Sequence, residues 1–181
     1  MKMDVDFNGK NSNIGKLYTQ ISQNLKFWNY PIFVHLEYSG GLGFISKTVS
    51  GYHINNTYSI GMAHTFQWMN GWANTFLAYR YTNFEKLSHD ILYSFWWGKN
   101  ILREKVRLTA YFVLWTENKN HGDAWTQNLS GKKFLALGEP QIWYNFNKLF
   151  AIGSEIKLFY HVYSYSDHLL IYPTLAIKYN F

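Results

Sequence analysis

The C-terminal residues 169–181 read Leu-Leu-Ile-Tyr-Pro-Thr-Leu-Ala-Ile-Lys-Tyr-Asn-Phe, and side chains of two kinds alternate along them. Successive side chains of a β-strand point to opposite faces, so this period of two predicts a strand with one apolar face. That face would carry Leu169, Ile171, Pro173, Leu175, Ile177, Tyr179 and Phe181. The opposite face would carry Leu170, Tyr172, Thr174, Ala176, Lys178 and Asn180. We therefore expect the chain to close with a β-strand that ends at Phe181.

The same alternation recurs along the whole chain. It predicts ten strands, at residues 2–8, 16–28, 31–39, 52–67, 72–82, 87–97, 103–117, 133–146, 150–164 and 168–181. No segment shows convincing helical periodicity, and no apolar run approaches the ~20 residues that a membrane helix needs. The sequence predicts a single all-β domain over residues 1–181, with antiparallel strands in up-and-down order.

The lengths of the strands and of their connections favour a transmembrane β-barrel. About ten tilted residues cross the apolar band of an outer membrane, whereas strands of soluble proteins usually have about five or six. A soluble sandwich or a lipocalin-like barrel would also alternate, but with shorter strands. Short joints are expected near residues 28–31, 67–72, 97–104 and 146–150, and mostly longer, polar ones near 8–16, 39–52, 82–87 and 117–133. Outer-membrane barrels show this contrast between tight periplasmic turns and long external loops.

Aromatic residues concentrate beside the short joints. The groups are Phe27-Trp28-Asn29-Tyr30, then Phe66, Trp68 and Trp72, then Phe95-Trp96-Trp97, and finally Trp143-Tyr144-Asn145-Phe146 with Phe150. Trp and Tyr favour the membrane–water interface because their rings are apolar at one end and hydrogen-bond at the other. We therefore expect an aromatic girdle on the periplasmic side of a Gram-negative outer membrane. Since no signal peptide is visible before the first strand pattern, we interpret the chain as a mature or N-terminally shortened form.

Composition and motifs argue against other classes of protein. The chain has no Cys, and its 17 Lys and Arg residues, which give a net charge of +6, are dispersed, so we expect no nucleic-acid partner. The His89-Asp90 pair and the group His161, Asp167 and His168 are interpreted as solvated loop residues. No Ser has the setting of a nucleophile, and the seven His show no metal-binding spacing, so we expect no enzyme, no metal and no cofactor.

Two local patterns give further expectations. Gly40-Gly41-x-Gly43 is interpreted as a flexible turn into the 39–52 loop, because no Lys-Ser/Thr follows that would make it a phosphate loop. Pro140 lies inside a strand pattern and cannot donate to the ladder, so we expect a bulge or irregularity there.

If the apolar face meets lipid, the other face lines the lumen. The predicted lining is Tyr18, Lys26, His35, Glu37, Phe76, Arg80, Trp96, Arg107, Tyr111, Trp115, Glu139, Gln141, Trp143, Glu155, Lys157, Phe159, His161, Tyr172 and Lys178. Aromatic rings would stack a planar solute, and the polar groups would hydrogen-bond it, which suits an uncharged nucleoside, although a sugar would also stack. The alternative is that the charges pair across the lumen and plug it. The chain would then be a structural or accessory subunit of a larger outer-membrane complex.

Four stretches carry a resemblance to a known family. They are Leu25-Lys26-Phe27-Trp28, Glu37-Tyr38-Ser39-Gly40-Gly41, residues 139–148 and residues 172–181. They resemble a Bacteroidetes outer-membrane family of unknown function, which is distantly similar to the Tsx-type nucleoside-specific channels. The resemblance implies a nucleoside channel surrounded by lipid and lipopolysaccharide, with a C-terminal strand that is similar to the signal read by the outer-membrane assembly machinery. Such relatives have about one more N-terminal hairpin, so ten or twelve strands are both open.

Overall fold

Ten β-strands form a single sheet in the computed structural model, which describes residues 2–6, 16–44, 51–162 and 168–179. They are β1 Lys2–Asp6, β2 Lys16–Leu25, β3 Ile32–Phe44, β4 Gly51–Trp68, β5 Gly71–Thr82, β6 Ser88–Ile101, β7 Val106–Asn118, β8 Lys132–Asn145, β9 Phe150–Tyr160 and β10 Leu170–Tyr179. Each strand pairs antiparallel with the next in chain order. The predicted all-β, up-and-down topology is confirmed. Within the described ranges no helix is long and apolar enough to cross a membrane.

The strands are long, as the alternation predicted. β4 has 18 residues, β6 has 14 and β3 has 13, against the five or six that are common in soluble sheets. Predicted and observed bounds mostly agree within a few residues, and β6 continues four residues further, to Ile101. The expected ends of the first and last strands, Phe7-Asn8 and Asn180-Phe181, lie outside the described residues, as do residues 45–50 and Asp167.

The interpretation of Gly40-Gly41 as a flexible turn is wrong. Both glycines lie within β3, where the register against β4 shifts between Ser39 and Gly41. A Cβ atom on Gly41 would lie 2.1 Å from the backbone oxygen of Leu17 on β2. The glycine is therefore explained by the close approach of a neighbouring strand at an irregular point of the ladder.

No bulge is found at Pro140, but the expected irregularity is. Pro140 pairs with Ala110 of β7 in regular register. Against β9, Gly138 pairs with Leu158 and Gln141 pairs with Glu155, whereas the ladder between them is interrupted at Glu139 and Pro140. The register is the same on both sides of the gap, so the sheet accommodates the missing N–H without an inserted residue.

The two faces of the sheet differ sharply in exposure. One face carries large apolar side chains that remain open, such as Leu77 at 57%, Ile91 at 65% and Leu175 at 80% exposed. The other face buries its side chains along the central strands, with Phe76 at 4% and Leu92 at 6%. We call these the outer and the inner face. An exposed apolar surface of this extent marks contact with something other than water.

The sheet is strongly curled around its inner face. Tyr111 on β7 interacts electrostatically with Glu37 on β3 and with Tyr18 on β2. In a flat sheet β7 and β3 would lie about 19 Å apart, four strand spacings of about 4.8 Å. β1 and β10 are the two ends of the strand order, and no pairing joins them within the described residues. The described strands therefore form a curled, barrel-like wall, with β1 at one edge and β10 at the other.

Connections of different length lie at the two ends of this wall. The short-turn end has residues 26–31, 69–70, 102–105 and 146–149, and the described connections at the loop end are 83–87 and 119–131. Met69 and Asn70 both have positive φ, at 52° and 57°, as the tightest hairpin turn requires. At the same end Trp97 Nε1 donates to the backbone oxygen of Trp68, and the two rings lie 6.3 Å apart. The predicted alternation is confirmed for 69–70, 102–105 and 146–149 against 119–131, whereas 26–31 at the short-turn end is longer than 83–87 at the loop end. Aromatic rings lie at the short-turn end.

We expect Gly61→Ala to lower the free energy of unfolding by about 1–3 kcal/mol, as overpacking typically does. A Cβ atom on Gly61 would meet the Leu77 backbone oxygen at 2.0 Å and Ala78 Cα at 2.5 Å. Ser59→Ala on the same face of β4 is the matched control. Ser59 is buried and its hydroxyl has no hydrogen-bond partner among the described residues, so its removal should cost nothing. The urea midpoint of tryptophan fluorescence measures both, and equal midpoints would contradict the register of β4 on β5.

Candidate functional site

The antiparallel register sorts the inner face into layers. Arg80 faces Asp90 across β5 and β6, Ala78 faces Leu92, and Asn74 faces Trp96. β7 and β8 continue the layers, since Glu117 faces Lys133, Trp115 faces Leu135 and Tyr111 faces Glu139. From the loop end to the short-turn end, the inner face thus changes from charged to apolar to polar. We call the three zones the ionic cluster, the apolar layer and the chamber.

The ionic cluster is built around Asp90, which is 3% exposed. Its carboxylate accepts hydrogen bonds from Ser88 Oγ at 2.6 Å, from Lys132 Nζ at 2.6 Å and from Thr116 Oγ1 at 3.1 Å. His89 precedes Asp90 on β6 and therefore points to the outer face, where it hydrogen-bonds Tyr79. The interpretation of this pair as solvated loop residues is wrong, since both lie on β6 and Asp90 is buried. Asp90 is held by three donors, and it does not orient His89.

A second carboxylate of the ionic cluster joins the wall to the longest loop. Glu117 pairs with Lys133 Nζ at 3.1 Å and with His121 Nε2 at 3.0 Å. The His121 ring lies 3.9 Å from the Phe84 ring and nearly parallel to it. Next to Glu117, the Arg80 guanidinium stands 4.9 Å over the Trp115 ring. These contacts fix loop 119–131 and the 83–87 connection onto the end of the wall.

Within that loop, Asp123 organises a turn. Its carboxylate accepts hydrogen bonds from the backbone N–H groups of Trp125 and Thr126, both at 2.9 Å. Desolvation alone would raise the pKa of Asp123, but the hydrogen bonds from Thr126 and Trp125 outweigh it and hold the pKa below its usual value. The loop therefore has a defined conformation, and it presents Trp125 at 94% exposure.

The apolar layer fills the middle of the inner face. Its buried members are Ala63, Phe76, Ala78, Leu92, Val113, Trp115 and Leu135, and Phe33, Tyr111, Leu137 and Val162 pack against them. Three of the predicted lining residues, Phe76, Trp115 and Phe159, are buried at this height, at 4%, 9% and 6% exposure. A small barrel-like wall is narrow enough for side chains to fill its interior in this way. Among the described residues these side chains pack against one another instead of lining open space.

The chamber is a cavity of about 630 Å³ at the short-turn end. It is lined by seven of the residues expected from alternation, namely Trp96, Arg107, Tyr111, Glu139, Gln141, Trp143 and Lys178. The structure adds Trp72, Asn100, Arg103, Glu104, Lys105, Thr109, Ala110, Asn145, Phe146, Asn147 and Lys148. Sequence reasoning missed the turn residues among these, because strand periodicity says nothing about where a turn side chain points.

Hydrogen bonds fix the chamber wall in place through Gln141. Its Oε1 accepts from Trp143 Nε1 at 3.0 Å and from Thr109 Oγ1 at 3.4 Å. Its Nε2 donates to Glu155 Oε2 at 3.1 Å, and Glu155 pairs with Lys157 at 3.4 Å. On the neighbouring strands the Trp96 and Tyr111 rings lie 4.5 Å apart. The chamber thus offers held aromatic rings beside amide and carboxylate groups.

The remaining predicted residues lie away from the chamber. His35 lies near Phe76, with ring centroids 4.2 Å apart, and Glu37 accepts from Gln20 Nε2 at 2.7 Å. Tyr172 lies on the edge strand β10 at 49% exposure. Two residues are not on strands as expected, because β2 ends at Leu25, before Lys26, and β9 ends at Tyr160, before His161. Across the described residues no three His, Asp or Glu side chains are grouped as metal ligands.

Comparison with known proteins gives a family and no activity. A family model described as "Domain of unknown function (DUF5020)" matches residues 1–181. No curated protein and no solved structure matches the chain.

We expect Asp90→Ala to lower the free energy of unfolding by about 1.5–3 kcal/mol, because it removes the charged acceptor of several hydrogen bonds and leaves the buried Ser88 hydroxyl without it. Lys132→Ala is the matched comparison, since it leaves the buried Asp90 carboxylate without its cationic partner. It should cost up to about 3 kcal/mol, because a buried charge left unpaired is destabilising, and the double variant should lose less than the sum of the two single variants. Chemical denaturation of the three variants measures this coupling. Additive losses would contradict an ion pair between Asp90 and Lys132.

Proposed function

The chain belongs to the DUF5020 family, and from the geometry of its inner face we propose that it is a channel of a Gram-negative outer membrane for small polar solutes, with nucleosides as the best candidate. The observation that carries the proposal is the chamber, where aromatic rings and hydrogen-bonding groups meet at one end of a curled wall. Base–aromatic stacking contributes about 1–3 kcal/mol per base, which favours entry without trapping the solute.

The outer face supports a membrane location. Apolar side chains such as Ile60, Leu77 and Ile91 are open on this face, and an outer-membrane barrel presents such a face to lipid. The aromatic residues of the short-turn end, Trp68 and Trp97 among them, would form the interfacial girdle. In this orientation the short-turn end faces the periplasm, and loop 119–131 faces outward.

In such a channel the apolar layer would be the constriction between the chamber and the loop end. Hydrophobic constrictions in pores restrict passage by excluding water. Solutes would then collect in the chamber and cross only when side chains such as Phe76 and Leu92 move apart. The charged residues beyond the layer would stay paired during passage.

The same layer favours a second candidate function. Phe76, Leu135 and Trp115 are buried at 4%, 3% and 9% exposure, which is the packing of a core. A wall filled in this way would serve as a non-conducting barrel, a structural or accessory subunit of a larger outer-membrane complex. Its partners would then contact the outer face or loop 119–131.

Proteoliposome swelling and single-channel currents distinguish the two candidates. For the channel, we expect nucleosides to permeate faster than sugars and amino acids, and Phe76→Ala to raise conductance several-fold by widening the apolar layer. Leu77→Ala is the matched control, since it shortens the neighbouring side chain on the outer face. Equal permeation of all three solute classes would contradict nucleoside specificity but would still support a channel. No current from either the wild type or Phe76→Ala, together with a stoichiometric partner in mild detergent, would favour the accessory subunit.

The membrane location has its own test. Ile60 lies near the middle of β4 on the outer face at 52% exposure, so Ile60→Lys should cost about 2–4 kcal/mol when the protein is folded in lipid vesicles. Leu129→Lys in loop 119–131 is the control, since a lysine there would meet water. Urea titration of vesicle-folded protein measures both. Equal, small losses would show that the outer face is not in lipid.

A further inference from the structure

The chamber carries an excess of positive charge. Its cationic residues are Arg103, Lys105, Arg107, Lys148 and Lys178, and its carboxylates are Glu104 and Glu139. Five cations against two anions leave a net positive lining. A cleft lined by charge of one sign concentrates ions of the opposite sign and speeds their association.

The ion pairs that join two described residues lie outside the chamber. They join Lys132 to Asp90, Lys133 to Glu117 and Lys157 to Glu155, while His35 and His121 face Glu37 and Glu117. Within the described part of the chain, no ion pair includes Arg103, Lys105, Arg107 or Lys178. The carboxylates of the ionic cluster thus have cationic partners of their own, whereas these four chamber cations have no ion-pair partner among the described residues and can meet an anion that enters.

The positive charge lies at the rim of the chamber, near the ends of the strands at the short-turn end. The aromatic rings of the chamber reach further into the wall. Arg107 pairs in register with Asn100 and Trp143 near the ends of their strands, and Lys178 pairs with Ala151 near the start of β9. Tyr111 lies four residues further into the wall, where it pairs with Trp96 and Glu139. A molecule with a ring at one end and an anionic group at the other would therefore match the chamber along its depth.

We propose that the chamber binds phosphorylated aromatic solutes, such as a nucleoside monophosphate, in preference to the neutral nucleoside. This rests on the proposed function and names its substrate class. The phosphate would lie at the rim, where the Arg107 guanidinium offers paired donors to phosphate oxygens. The ring would lie against Trp143 or Trp96, with Gln141 and Glu139 near its polar edge. Since the cations are close to solvent, the preference depends on ionic strength.

Calorimetric titration of the folded full chain in detergent tests this with adenosine, adenosine monophosphate and inorganic phosphate. At about 10 mM salt we expect the monophosphate to bind at least about tenfold more tightly than adenosine, with the gap closing near about 0.5 M. Inorganic phosphate should bind at least about tenfold more weakly than the monophosphate, because it has no ring to stack. Equal affinities for adenosine and its monophosphate would overturn the proposal, as would equal affinities for phosphate and the monophosphate.

Variants locate the binding site. Arg107→Gln should weaken monophosphate binding about tenfold and leave adenosine binding unchanged, because only the phosphate needs the guanidinium. Lys99→Gln is the matched control, since it removes one positive charge from β6 next to Asn100 without touching the chamber lining. Equal losses from the two variants would show that net charge alone attracts the anion and would overturn the site. Lys178→Gln, on an exposed edge strand, repeats the test if Arg107→Gln does not fold.

The outcome separates this proposal from the channel. Selective binding without any permeation in the swelling assay would contradict the proposed channel function. It would still support the chamber as a binding site for phosphorylated solutes. Permeation of nucleosides without selective binding of the monophosphate would keep the channel and overturn the substrate class.

Discussion

The antiparallel register of the ten strands is the constraint on which the rest of the structure depends. A slip by one residue would move every side chain of a strand to the other face. It would expose Asp90 on the apolar outer face and bring Ile91 inside. Because each strand from β2 to β9 pairs with two neighbours, one register error would propagate into the layers of the inner face. The separation of ionic cluster, apolar layer and chamber is thus a property of strand pairing, which places residues of like character side by side.

Much of this fold could be predicted from one property of the sequence, the period-two alternation. It locates the strands and assigns Leu77 to the outer face and Phe76 to the inner face, because neighbouring residues of a strand differ in direction. The alternation fails where the direction of a side chain, or the choice of residue, is not determined by its place in a strand. Gly40 and Gly41 resemble a turn in composition, yet both lie in β3, and Gly41 permits the close approach of β2, a tertiary contact that no local pattern contains.

The candidate site was predictable only in part, for the same reason. Trp96, Tyr111 and Gln141 follow from alternation, whereas Arg103 and Lys148 lie in turns whose conformation strand periodicity does not describe. Alternation also does not say how far an inward residue lies from the loop end or from the short-turn end of the barrel-like wall. Whether an inward residue lies in an open chamber or in a packed layer depends on which residues its neighbours bring to the same level. A list of inward residues therefore predicts only which face of the sheet each residue lies on. The structure shows that this face is divided into zones with different chemistry.

The hydrogen bonds of Gln141 restrict how the chamber wall could change in evolution. An indole N–H can only donate, so Trp143 requires the Gln141 oxygen on its side, and the amide nitrogen is then directed to Glu155. A carboxylate at 141 would repel Glu155, and an amide oxygen at 155 would still accept. Substitutions at these three positions are therefore coupled. We expect sequences that differ at one of them to differ at another, so that the chain of donors still runs in one direction across β8 and β9.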